Sequence, residues 1–86
     1  MDEEDAARYV EDLARKLGVP EELTMAGFGC VRMGGRSDGS LVCGATFIDS
    51  VGAQIASIRV DLFDGGLHSF EFQPWKLERR ANARGD

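Results

Sequence analysis

Few residues in this chain of 86 have the types and spacing that covalent chemistry needs. His68 is the single histidine, and a general base requires a nucleophile or substrate proton within hydrogen-bond reach. The alternation around it turns it toward the core edge beside Leu62, so it reads as a packed side chain. Serines occur, but no Gly-x-Ser-x-Gly elbow accompanies them. Cys30 and Cys43 have twelve residues between them, and two thiols with one distant histidine fall short of a zinc site. They read as small buried hydrophobes, with a redox pair only if the strands set them directly opposite. Gly27, Gly29, Gly34 and Gly35 suggest a phosphate loop. Yet Gly27-Phe28-Gly29-Cys30-Val31-Arg32 lacks the third glycine, and no Gly-Lys-Ser/Thr follows. Turns and bulges account for these glycines better. Arg84-Gly85-Asp86 spells an integrin-type tripeptide, too short to carry weight on a polar tail. The expectation is a chain with no catalytic residues, no metal ligands and no cofactor.

Acidic residues are the remaining feature with a functional meaning. The net charge is −5, and residues 1–22 hold eight acids against three bases. Asp2, Glu3, Glu4, Asp5, Glu11, Asp12, Glu21 and Glu22 make up that cluster. The plain reading is a solvated helix face, because Glu4–Arg8, Glu11–Arg15 and Asp12–Lys16 stand as i,i+4 pairs. The sharper reading is a patch that docks on a basic groove of a protein or nucleoprotein complex. Duplex DNA carries a charge every ~1.7 Å. A helix rising ~1.5 Å per residue with these acids offers well under half that density. The patch therefore needs shape, or help from Asp38, Asp49, Asp61 and Asp64. Direct nucleic-acid binding is not expected of so acidic a chain.

The elements that would position these groups follow from periodicity. Ala6, Tyr9, Val10, Leu13, Ala14 and Leu17 recur at helical spacing, with Asp2 or Asp5 as N-cap. Gly18 ends this helix and Pro20 prevents its continuation. Residues 28–33 read as a first strand and residues 41–48 as a second, with a glycine-rich loop between. Residues 54–73, QIASIRVDLFDGGLHSFEFQ, read as a hairpin about Asp64-Gly65-Gly66. Its register pairs Val60 with Phe70 and Ile58 with Phe72, and on the other face Arg59 with Glu71. The expected fold is α+β: an N-terminal helix packed on one face of a four-stranded antiparallel β-meander. Residues 1–80 make one domain and residues 81–86 a flexible tail.

Strands one and two look apolar on both faces, and Trp75 with Leu77 from the tail is the expected cover. A second copy is the other way to cover them, but a monomer is expected over a homodimer. The start MDEEDAARY is acidic where a secretory signal would be basic, and no apolar run is long enough to span a bilayer. No membrane partner is expected, and the location is expected to be cytoplasmic with reduced thiols.

In its size, its acidic start MDEEDAARYVED and its compact helix-plus-meander plan, the chain resembles the small acidic anti-CRISPR inhibitors carried by phages. The resemblance implies a non-catalytic protein that binds one large nucleoprotein target and blocks nucleic-acid entry, in effect a DNA mimic. The alternative is a generic interaction module, such as an immunity protein, antitoxin or dimeric accessory subunit. It would use apolar residues of strands one and two, Met33, Val42 and Ile48 among them.

Overall fold

The computed structural model describes residues 2–32, 41–63 and 66–77. Helix α1 spans Glu3–Lys16. Asp2 is its N-cap, its Oδ1 accepting the Asp5 N–H at 2.9 Å. Acids fill the first turn and Arg15 with Lys16 the last, as the helix dipole favours. The C-terminus closes as a Schellman motif. Gly18, at φ 115°, donates its N–H to Arg15 O and Val19 donates to Ala14 O, each at 3.1 Å. Glycine is needed there because a side chain disfavours that backbone region.

Ala6, Val10 and Ala14 are the buried positions of α1, with Leu13 half-buried beside them. Tyr9 and Leu17, expected on the same face, remain 38% and 40% exposed. The helix lies chiefly over the middle strands, so a narrower stripe than the periodicity suggested reaches the sheet.

The strands are β1 (Thr24–Arg32), β2 (Leu41–Ile48), β3 (Gln54–Asp61) and β4 (Leu67–Phe72), antiparallel in the order β1-β2-β3-β4. This is the α+β helix-on-meander arrangement expected. β1 begins four residues earlier than the alternation suggested, because its register shifts between Ala26 and Gly29. That bulge breaks the period of two on which a strand is recognised. The β3–β4 register also differs from expectation. Ile58 faces Phe70 and Arg59 faces Ser69, while Ser57 faces Glu71. The cause is where the hairpin closes: Leu67 faces Val60, three positions earlier in β3 than the expected register requires, and His68 is then an extra residue that moves the pairing back by one. Without that extra residue, Ile58 would face Ser69 and not Phe70. His68 is accordingly exposed, and not packed at the core edge beside Leu62.

Cys43, Ala45 and Phe47 of β2 point to the α1 side and meet Ala56, Ile58 and Val60 of β3. Phe47 is fully buried, worth ~1.5–3 kcal/mol for a side chain of its class. Phe70, Phe72, Met25, Phe28 and Leu77 pack around this cluster. Of the two tail residues expected to cover the sheet, Leu77 joins the core, whereas Trp75 stays 53% exposed.

The thiols expected to be reduced are joined. Cys30 and Cys43 face each other across β1 and β2, Cα atoms 3.9 Å apart, in a disulfide. Cys43 is a buried hydrophobe as expected, but Cys30 is exposed. A bridge over thirteen positions restricts the unfolded chain. Reduction should therefore lower stability by about 2–3 kcal/mol. Urea unfolding followed by tryptophan fluorescence, with and without a dithiol reductant, measures this difference; equal midpoints would contradict it.

Candidate partner-binding surfaces

Two surfaces emerge, one on each side of the sheet. The first is acidic and is organised by Arg15. Its guanidinium donates to Pro20 O, to Leu23 O at 2.8 Å and to Glu11 Oε2 at 2.9 Å. The same group lies over the Phe47 ring, 5.1 Å from its centroid. The chain following α1 is thereby folded back against the helix, and Glu21 and Glu22 are held exposed beside its C-terminal end.

The expected helix pairs form only in part. Glu11–Arg15 is present, but Arg8 reaches Asp5 at 3.6 Å instead of Glu4. The Asp12–Lys16 pair is absent among the described residues. Exposed Glu3, Glu4, Asp12, Glu21 and Glu22 consequently have no basic partner there. Asp2 is engaged as N-cap. The remaining candidate acids do not join them. Asp49 is buried, its Oδ1 accepting the N–H groups of Val51 at 3.0 Å and Ala53 at 2.9 Å, so it builds the β2–β3 turn. Asp61 accepts the Phe63 N–H at 3.0 Å and stands opposite Val42, on the far face of the sheet. Asp38 and Asp64 lie outside the described residues, as does Met33. The acids thus form a surface on α1 and the adjoining turn, and not one patch running over the whole molecule.

The second surface is the sheet face turned away from α1, whose polar residues on β3 and β4 the sequence reading placed together without reading a concavity there. It forms an open trough of about 990 Å³, lined among others by Gly29, Gly44, Ser57, Arg59, His68 and Glu71. Val42 and Ile48, expected to form an apolar patch here, are respectively buried and half-buried. Glycine at 44 permits close approach: a Cβ there would sit 3.0 Å from both Arg59 Cγ and Ile58 O. Because the register differs, Arg59 and Glu71 are diagonal neighbours and do not form the expected ion pair. The signal available in the sequence was glycine at 44, inside the second strand, together with Gly27 and Gly29, which read as turn or bulge positions. Among the described residues, no three His, Cys, Asp or Glu side chains gather as a metal site, and no helix is long and apolar enough to cross a membrane.

Helix-on-meander α+β architecture with two polar surfaces is the class that fold and geometry define. Comparison with protein-family models, curated proteins and solved structures gives no match.

Arg15 offers a direct check on how the acidic surface is held. Arg15→Met keeps the stem but takes the guanidinium donor from Leu23 O and leaves Pro20 O with the Leu23 N–H alone. It should cost about 1–3 kcal/mol, as loss of charge-assisted hydrogen bonds does. Chemical denaturation reads this cost, and an unchanged midpoint would show that the link is held otherwise.

Proposed function

We propose that this is a non-catalytic binding protein that presents the carboxylates of α1 and the Glu21–Glu22 turn to a basic surface of a nucleic-acid-handling complex. Occupying that surface inhibits the complex by excluding nucleic acid, in the manner of the anti-CRISPR inhibitors that the chain resembles. The observation carrying this reading is the set Glu3, Glu4, Asp12, Glu21 and Glu22, exposed and without basic partners among the described residues, on a helix and a turn fixed by Arg15. Fixed charges lose little side-chain and backbone freedom on docking, which favours recognition over mere solvation. With Asp49 buried and Asp61 on the other face, the charge is too sparse to copy duplex DNA phosphate by phosphate. Shape at a particular basic groove must supply the rest.

The alternative is a general interaction module acting through the far face of the sheet. It is favoured by the trough, where Arg59, His68 and Glu71 are brought together without ion pairs among the described residues.

Displacement of labelled target DNA from a panel of guide-loaded CRISPR nuclease effectors tests the first reading. The unaltered chain should displace DNA from at least one effector, less well as salt rises. The Glu3→Lys, Glu4→Lys, Asp12→Lys variant should lose about tenfold or more, a difference of about 1.4 kcal/mol. Retained displacement by that variant would move the binding surface elsewhere, and Arg59→Glu would then be the informative change.

A further inference from the structure

The two outer strands of the sheet are protected very differently. β4 has six residues, an irregularity at His68, a carboxylate at Glu71 and Pro74 just beyond, all features that discourage edge pairing. β1 has nine residues with no acid, lysine or proline, and among the described residues no strand other than β2 pairs with it. Its last four residues, Gly29 to Arg32, are all exposed, Val31 by 61%. Helix α1 packs chiefly on β2 and β3.

We propose that β1 pairs antiparallel with β1 of a second copy, about a two-fold axis through the Gly27–Phe28 bulge, joining two four-stranded sheets into one. The bulge makes such pairing possible in phase. Before it, Thr24 and Ala26 share a face with Ile48 and Thr46, and Met25 points the other way with Phe47. After it, Gly29 and Val31 share that first face with Gly44 and Val42, and Cys30 points the other way with Cys43. Pairing about the bulge sets Ala26 opposite Gly29, Met25 opposite Cys30 and Thr24 opposite Val31. Every pair then lies on one face, as directly opposed residues in an antiparallel ladder must. In a regular strand the same pairing would set each residue against one pointing the opposite way.

Charge selects the second copy over an unrelated strand. Arg32 is the only charged residue of β1, and Glu21 and Glu22 stand exposed just before its start. Within its own chain Arg32 contacts the Phe63 ring at 5.9 Å from the centroid and has no ion pair among the described residues. The proposed register sets Arg32 of each copy opposite Leu23 of the other, next in the chain to the exposed Glu21 and Glu22. The complementarity is reciprocal, as a two-fold interface requires. Since opposed residues share a face, the axis runs perpendicular to the sheet, and both α1 helices lie on the same side.

Sedimentation velocity over a concentration series on the oxidised chain tests the proposal. A dimer that dissociates on dilution is expected. Arg32→Glu should weaken it about tenfold, because it sets three acids together at each end. Glu21→Arg with Glu22→Arg should weaken it similarly, and combining all three changes should restore it. Thr24→Asp with Val31→Asp places like charges opposite each other at two exposed positions and should give a monomer. Circular dichroism of each variant reports whether the fold is kept. A wild-type monomer at every concentration overturns the proposal, as does a dimer that Arg32→Glu leaves unchanged or that the combined reversal fails to restore.

Discussion

Helix, connecting turn and sheet meet at the guanidinium of Arg15. Its planar fork satisfies two backbone carbonyls beyond the helix end and one carboxylate a turn earlier, while its face rests on Phe47 at the centre of the core. Arginine suits this position because its donors are fixed in one plane and its charge is permanent. The Schellman closure at Gly18 turns the chain back, and Arg15 holds what that turn delivers. The entry angle into β1, and with it the position of Glu21 and Glu22, follows from these contacts.

Much of the architecture was legible in the residues, for identifiable reasons. The helix carries its own cap, its i,i+4 spacing and its terminating glycine, all of them local signals. The bounds of β2 could be read because Leu41–Ile48 is the longest apolar run of the chain, set between a glycine-rich stretch and Asp49. Registers were harder. Both departures, at Gly27–Phe28 and at His68, are one-residue insertions that reverse the alternation downstream. A bulge is invisible to a period-two reading, since what sets it is the fit against the neighbouring strand. The Arg59–Glu71 pairing failed because the hairpin closes at Val60 and Leu67, which, after the extra residue His68, leaves Glu71 opposite Ser57.

Cysteine and acid placement show the same limit at longer range. That Cys30 and Cys43 stand opposite depends on the length of chain joining β1 to β2 and on the bulge upstream, neither of which composition encodes. Asp49 and Asp61 carry the same charge as the helix acids. One is consumed in building a turn and the other faces the opposite side of the sheet. Carboxylates become a surface only where no backbone donor or base claims them, as at Glu3, Glu4 and Asp12 of α1 and at Glu21 and Glu22.

The disulfide also shapes the molecule before it folds. In the oxidised state residues 30 to 43 form a covalent ring, so the denatured ensemble already holds β1 and β2 within reach of each other. What is left to find is mostly local in sequence, because each later strand follows its neighbour directly in the meander. Collapse would then spread outward from that ring toward β3 and β4, with α1 settling onto β2 and β3 once they lie side by side.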